Sequence, residues 1–217
     1  MINKFDELNN LKIREGVIPS YYSDLNWKVH AKPIILKAFN DFKNNLKDKR
    51  NDVYISDLEE CISTGQIEIQ DVCYGDNVSI RFGNDPIPYK PLGKPKLLFE
   101  KGTSLVISYG KGGPVCAFIY PPYSEQSKPN RNYYVINYWN NPNELTNSSI
   151  QPLLEMFLEV QFLGSLLSPS KKKSWLFAKL EAKHIEITEG KSWIGGKIKY
   201  IFTLIRVLRA IYNLAGS

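Results

Sequence analysis

Few of the residues that most often carry out catalysis are present in this 217-residue chain. The two histidines, His30 and His184, lie outside nucleophile motifs such as G-x-S-x-G. The three cysteines, Cys61, Cys73 and Cys116, form no C-x-x-C pair, and each has apolar neighbours. We interpret the cysteines as reduced core residues. These patterns therefore predict no catalytic residue, no metal site and no cofactor.

Two short segments match parts of known sites without their required context. Gly110-Lys111-Gly112-Gly113 is glycine-rich like a phosphate-binding loop, but a strand pattern follows it where a helix would be needed. We therefore predict a hairpin turn there. Glu181-Ala182-Lys183 matches the E-x-K part of restriction-type nucleases, which also need an upstream carboxylate at a strand end to hold Mg²⁺. No Asp lies between residues 86 and 217, so a nuclease-like enzyme is the weakest alternative.

The charge balance permits anionic partners without requiring them. The formal net charge is +6 and the isoelectric point is about 9.0, which allows contact with nucleic acid or an anionic membrane surface. The run Lys171, Lys172 and Lys173 is the segment that nucleic acid could contact. The sequence has no signal-peptide pattern at its N-terminus and no uncharged span of membrane length. We therefore expect a cytoplasmic protein, with a membrane-peripheral location through its C-terminal segment as the alternative.

Aromatic residues are frequent in the segments predicted as strands. They are Tyr109, Phe118, Tyr120, Tyr133, Tyr134, Tyr138 and Trp139. On an exposed sheet face, such rings could stack single-stranded bases. The alternative is a packed sheet with tyrosines at its rim, and the sequence leaves both open.

Helical spacing of apolar residues predicts helices over 33–48, 56–64 and 149–167. Pro33 suits the first turn of a helix, where its missing N–H is not needed. Ser56-Asp57-Leu58-Glu59 has the pattern of a capping box, which predicts a helix start.

Strand patterns occupy the middle of the chain. The predicted strands are 67–73, 78–82, 104–109, 115–120 and 133–139, with a short sixth over 97–99. Tyr74-Gly75-Asp76-Asn77 predicts a hairpin between the first two. Segments 104–109 and 115–120 are apolar at nearly every position, so both of their faces are expected to be covered.

Three other segments have weaker patterns. Residues 83–96 contain four prolines, which predicts an irregular loop. The lysine run follows Ser168-Pro169-Ser170, which predicts an exposed basic linker. Residues 175–183 fit a helix or a strand, whereas 184–189 alternate like a strand.

This order of elements predicts an α+β fold. A mainly antiparallel sheet of about five to six strands lies between N-terminal and C-terminal helices. We assign residues 1–192 to a single domain and residues 193–217 to a basic amphipathic helix.

The helix predicted over 197–215 is apolar around well over half of its circumference. It has three possible environments: the core of its own domain, a groove on a partner chain or second copy, or an anionic membrane surface. The residues that would bind a partner or membrane are Trp193, Lys199, Tyr200, Ile201, Leu204, Arg206, Leu208, Arg209, Ile211 and Tyr212.

The sequence hypothesis is a non-enzymatic macromolecular interaction module or an accessory subunit of a cytoplasmic complex. Its partner is expected to be another protein or a second copy of the chain. A peripheral membrane protein and a nucleic-acid-binding protein are the alternatives from other classes.

Overall fold

The chain has the predicted α+β architecture, with helices first, strands in the middle and helices last. The computed structural model describes residues 17–46, 52–58, 75–89, 96–110, 113–125, 128–165 and 170–189. The predicted C-terminal helix over 193–217 lies outside these residues.

The first described helices run through a wide turn into one another. Helix α1 (Val17–Asn26) passes into a π-helical turn (Trp27–Ala31) and then into α2 (Lys32–Asn45). The Lys32 N–H donates to the Trp27 carbonyl five residues earlier, which is the π-helical pattern. This wider turn comes directly before Pro33, whose ring crowds the preceding turn and which has no N–H to donate.

Helix α2 confirms the predicted helix but is shorter at its C-terminal end. It stops at Asn45 and not at residue 48, because the Leu46 backbone is already extended (φ −67°, ψ 110°). Its apolar face buries Ile35 and Phe39, which are fully enclosed in the core.

Five strands form one antiparallel sheet in the order β1-β2-β5-β6-β7. Their bounds are Val53–Asp57 (β1), Asp76–Phe82 (β2), Ser104–Tyr109 (β5), Val115–Tyr120 (β6) and Tyr134–Trp139 (β7). Strand β2 pairs with β1 on one side and β5 on the other along most of its length. The predicted hairpin between 67–73 and 78–82 is therefore wrong, although 67–73 itself lies outside the described residues.

Strand β1 overlaps the start of the helix predicted over 56–64. Ser56 pairs with Ser79 in β2, so it does not cap a helix. Pairing across the sheet outweighs the local capping pattern here, and residues 59–64 lie outside the described part of the chain.

The proline-rich segment forms a strand where an irregular loop was expected. Strand β3 (Asn84–Tyr89) pairs antiparallel with β4 (Lys96–Lys101) in a separate two-stranded sheet. Pro86 and Pro88 are tolerated because, among the described residues, β3 has a strand neighbour on one side only. Strand β4 extends the short strand predicted over 97–99.

Helix α3 (Asn147–Gly164) begins two residues before the predicted start at 149. The Thr146 side chain accepts the Ser149 N–H at 3.3 Å, and the Ser149 hydroxyl accepts the Thr146 N–H at 3.0 Å. This capping box fixes the start, so Pro152 lies inside the helix and not in its first turn. The helix ends at Gly164, before the predicted 167, because Ser165 has left the helical conformation.

Helix α4 (Ser170–Glu189) corrects two predictions at once. The lysines 171–173 lie in its first turn and not in a linker, and residues 184–189 are helical and not extended. Leu176, Leu180 and His184 recur every four residues and form its buried face. This face packs along β7, and the contacts made there override the strand-like alternation of the sequence.

The core lies between one face of the five-stranded sheet and the helices α2 and α3. Phe157 of α3 is fully buried, with its ring centroid 4.7 Å from that of Phe82 and 5.9 Å from that of Phe42. We call this packed side of the sheet the inner face.

Candidate interaction surface

The opposite side of the same sheet, which we call the outer face, is partly exposed throughout. Strand β5 shows the alternation: Leu105, Ile107 and Tyr109 are buried, whereas Ser104, Val106 and Ser108 between them reach solvent. Strand pairing extends the outer face across the sheet. Its residues are Tyr54, Ser56, Asn77, Ser79, Arg81, Ser104, Val106, Ser108, Cys116, Phe118, Tyr120 and Tyr138.

The chemistry of the outer face is aromatic and hydroxyl-rich. Within the strands, Arg81 is the one charged residue of this face, and at its β1 margin the exposed Asp52 carboxylate accepts a hydrogen bond from the Tyr54 hydroxyl at 3.4 Å. Tyr133, which precedes β7, extends the aromatic margin, with its ring centroid 5.7 Å from that of Phe118 and 5.9 Å from that of Tyr120. Among the described helices, α4 borders this face at β7, where the His184 ring centroid lies 6.3 Å from that of Tyr133 and Val135, the partner of Phe118, is buried. Helices α2 and α3 pack on the inner face.

Burial acts on the pKa of two groups of the outer face, Tyr120 and Cys116. Burial raises the pKa of the Tyr120 hydroxyl, and the neighbouring Tyr133 raises it further. Burial likewise raises the pKa of the Cys116 thiol. A neutral thiol is a weak nucleophile, so Cys116 is suited to contact and not to covalent catalysis.

A groove of about 320 Å³ lies at one end of the outer face. Its lining includes Ser79, Ser104 and Val106 from the sheet and Tyr120 and Tyr123 from the end of β6. The Lys101 N–H donates to the Tyr123 carbonyl at 2.8 Å, and the Tyr123 N–H donates back at 3.2 Å. This pair of bonds fixes the segment that carries Tyr123 against β4.

Two cations line the groove, and each lies over a tyrosine ring. The Arg81 guanidinium carbon is 5.3 Å from the Tyr54 ring centroid. The Lys101 ammonium nitrogen is 5.0 Å from the Tyr123 ring centroid. No Asp or Glu occurs among the described lining residues of the groove.

A larger cleft of about 770 Å³ lies beside α4. Its charged lining includes Lys128, Lys173, Arg131 and Glu181. The Arg131 guanidinium binds the Glu181 carboxylate in a forked arrangement, with Nε 2.9 Å from both oxygens and a terminal nitrogen 2.8 Å from Oε1. Glu181 of the E-x-K motif therefore lies in a helix and is already paired with Arg131.

Of the three lysines predicted to contact nucleic acid, Lys173 is the one shown to line this cleft. Lys173 lines it and donates to the Ser165 carbonyl at 3.4 Å. Lys172 is exposed, and the Lys171 side chain lies outside the described structure.

A largely buried charge cluster lies at the far end of the inner face. No local sequence motif predicts it. The Lys32 ammonium nitrogen is 2.7 Å from Asp57 Oδ1 and 2.8 Å from Asp76 Oδ2. The Trp27 indole N–H also donates to Asp76 Oδ2 at 2.8 Å, and the Trp27 ring stacks on Tyr109. Because Lys32 of α2 binds carboxylates on both β1 and β2, we interpret the cluster as the joint between the N-terminal helices and the sheet.

The histidines and cysteines form no catalytic group in the part of the chain that is described. The His184 Nδ1 accepts the Val135 N–H at 3.0 Å, which satisfies a backbone donor on strand β7. His30 is exposed in the π-helical turn. No group of three or more His, Cys, Asp or Glu within the described ranges could hold a metal ion. Cys61 and Cys73 lie outside these ranges.

The aromatic residues divide between the two faces. Tyr109, Tyr134 and Trp139 are buried, whereas Phe118, Tyr120, Tyr133 and Tyr138 reach solvent. The residues predicted to bind a partner or membrane, from Trp193 to Tyr212, all lie outside the described structure. Within it, no helix is both long enough and apolar enough to cross a membrane.

Comparison of the chain with models of protein families, with curated proteins and with solved structures gives no significant match. We therefore base the proposed function on the residues of the outer face and its groove.

Proposed function

We propose that the protein is a non-enzymatic interaction module that docks a protein partner on the outer face. The observation that supports this proposal is apolar and aromatic surface with no covering layer among the described elements. On the outer side of β5 and β6, the apolar residues Val106, Cys116, Phe118 and Tyr120 lie beside Ser104 and Ser108, whereas α2 and α3 pack on the inner side. A partner would supply the second cover.

The composition of the outer face agrees with a protein interface. Protein interfaces are enriched in tyrosine, phenylalanine and arginine and depleted in aspartate and glutamate. The outer face has this composition, with Tyr54, Tyr120 and Tyr138 as exposed rings and Arg81 as its cation.

The size of the outer face requires a further contact region. Five strands at about 4.8 Å spacing and about 20 Å of strand length give roughly 400 Å². A standard interface buries about 800 Å² on each partner. We propose that the groove margin and the helix predicted over 197–215 supply the remainder, as the amphipathic pattern of that helix suggests.

The described surface favours a protein partner over nucleic acid. Nucleic-acid sites neutralise several phosphates with clustered Lys and Arg. On the outer face and at its groove, Arg81 and Lys101 are the only cations among the described residues. In the larger cleft, Arg131 is paired with Glu181, which leaves Lys128 and Lys173.

Site-specific photocrosslinking in the native host tests the proposal. A photoreactive phenylalanine analogue replaces Tyr120 or Tyr138 on the outer face, and Lys37 on the exposed side of α2 in a matched control. We expect one and the same polypeptide to be captured from both outer-face positions and not from Lys37. That polypeptide, once purified, should bind the protein about tenfold or more weakly when Tyr120 or Tyr138 is changed to alanine.

Three results would contradict the proposal. They are capture of the same polypeptide from Lys37, capture of nucleic acid from the outer face, and alanine variants that bind the purified partner as tightly as the unchanged protein. In the full-length chain, Leu204→Gln with Leu208→Gln tests the contribution of the predicted C-terminal helix, with circular dichroism as the check on folding.

A further inference from the structure

The two cations of the groove differ from Arg131 in the larger cleft and from Lys32 in the core. Arg131 and Lys32 each bind a carboxylate at less than 3 Å. Arg81 and Lys101 instead lie over tyrosine rings, and within the described residues neither has a carboxylate partner. A ring face attracts positive charge but does not accept N–H···O bonds as a carboxylate does. The donors of both side chains therefore remain available to an anion.

The groove carries a net positive charge that its own lining does not compensate. Arg81 and Lys101 line one cavity with the hydroxyl residues Ser79 and Ser104, and no described lining residue is acidic. An arginine can hold a carboxylate with two parallel hydrogen bonds, and a lysine adds a point charge. A second anion-binding contribution comes from the serine hydroxyls, which can donate as well as accept.

We infer that this groove receives an acidic side chain of the partner, in a peptide segment whose neighbouring apolar residue packs on Tyr120 or Tyr123. This inference rests on the proposed protein-binding function and names the chemistry of the segment that is bound. A volume of about 320 Å³ fits one or two side chains. Two cations suit a Glu or Asp of a peptide better than the repeated phosphates of a nucleic acid, which would need a longer basic track.

The experiment uses the full-length protein and three defined probes. They are a capped pentapeptide of alternating leucine and glutamate, the same peptide with glutamine in place of glutamate, and an oligothymidine of eight nucleotides. Titrations are followed by amide chemical shifts at low ionic strength. We expect the glutamate peptide to shift the amides of Ser79 and Ser104, to bind about tenfold or more tightly than the glutamine peptide, and to weaken as salt is added.

Matched charge variants separate the groove from the net charge of the protein. In the double variant Arg81→Gln, Lys101→Gln, we expect binding of the glutamate peptide to fall by about tenfold or more. The control variant Lys37→Gln, Lys43→Gln removes the same charge from exposed positions on α2 and should bind as the unchanged protein does. Unchanged thermal unfolding of both variants shows that the fold is intact.

Any of three outcomes would overturn the inference. They are equal binding of the glutamate and glutamine peptides, binding that survives the Arg81 and Lys101 changes, and tighter binding of oligothymidine through the same two residues. Failure of the inference is distinguishable from failure of the proposed function. If a photocrosslinked partner binds with an affinity that does not depend on Arg81 and Lys101, the protein is still a binding module. Only the inference that the groove receives an acidic segment is then wrong.

Discussion

The inner and outer faces of the five-stranded sheet are built by alternate residues of the same strands, yet they have different surroundings. On the inner face, Ile107 and Ile119 are fully buried against α2 and α3. On the outer face, Val106 and Phe118 keep part of their surface exposed. A sheet needs one packed face to form a core, so the residues of the other face are freer to serve binding. The comparison predicts that stability depends on the inner face and recognition on the outer one.

Among substitutions on the inner face, we expect the largest loss of stability at the charge cluster around Lys32. Changing Lys32 to Met should lower the free energy of unfolding by about 3–5 kcal/mol, because the half-buried Asp57 and Asp76 carboxylates would both lose the buried ammonium group that binds them. Chemical denaturation of the variant measures this loss. Lys37→Met, at an exposed position of the same helix, is the control and should change stability little. A loss below about 1 kcal/mol in Lys32→Met would show that the cluster is not a joint of the fold.

Adjacent residues of β5 allow the two faces to be compared directly. Ile107→Ala should cost about 2–5 kcal/mol, since it leaves a cavity in the core. Val106→Ala should cost about 1 kcal/mol or less, because the site is open to solvent and the loss is mainly strand propensity. Equal losses in denaturation experiments would mean that the outer face is packed as tightly as the inner one.

At the edge of the sheet, β7 is bound to α4 by a hydrogen bond between the Val135 N–H and His184. His184→Ala should lower stability by about 1–3 kcal/mol, because the buried Val135 N–H loses its acceptor. His184→Asn offers an amide oxygen in a similar position and should recover part of the loss. Hydrogen exchange at Val135 gives an independent measurement, and unchanged protection in His184→Ala would contradict this role.

The smallest expected effect is a change in pH dependence at Asp85, near the start of β3. Burial raises the pKa of this carboxyl, and the nearby Glu100 raises it further. A carboxyl with a higher pKa in the folded state contributes stability that is present below its unfolded pKa and lost as pH rises through the folded value.

Asp85→Asn removes this contribution, so the stability of the variant relative to the unchanged protein should increase as the pH rises from below 3.8 towards neutrality. Thermal unfolding at several pH values measures the difference. Asp41→Asn on the exposed side of α2 serves as the control. A difference that does not vary with pH would contradict the assignment.

The elements with strong local patterns were predictable from the sequence. Strands 104–109 and 115–120 are confirmed residue for residue, because both are rich in apolar residues and Gly110 and Gly113 mark the turn between them. The predictions failed where a local signal competes with distant contacts. Pro86 and Pro88 suggested a loop but lie in a strand paired on one side, and residues 184–189 alternate like a strand but pack as a helix on β7.

The candidate site was only partly predictable for the same reason. The sequence identified the aromatic residues, but it could not assign Tyr120 to the outer face and Tyr109 to the core. Arg81 and Lys101 gave no signal, since they lie twenty positions apart and meet only through the folding of β2, β4 and the segment after β6.

By itself, the sequence determined the α+β class, the scarcity of histidine and cysteine, and the strands β2, β5, β6 and β7 of the central sheet, since each of these depends on composition or on patterns within a few residues. It did not predict β1, part of which was assigned to a helix. Tertiary structure decided which face is covered, that Lys32 joins Asp57 to Asp76, and that His184 binds Val135, 49 residues away. Contacts of this kind join residues far apart in the chain, and their energies depend on burial that only the folded chain creates.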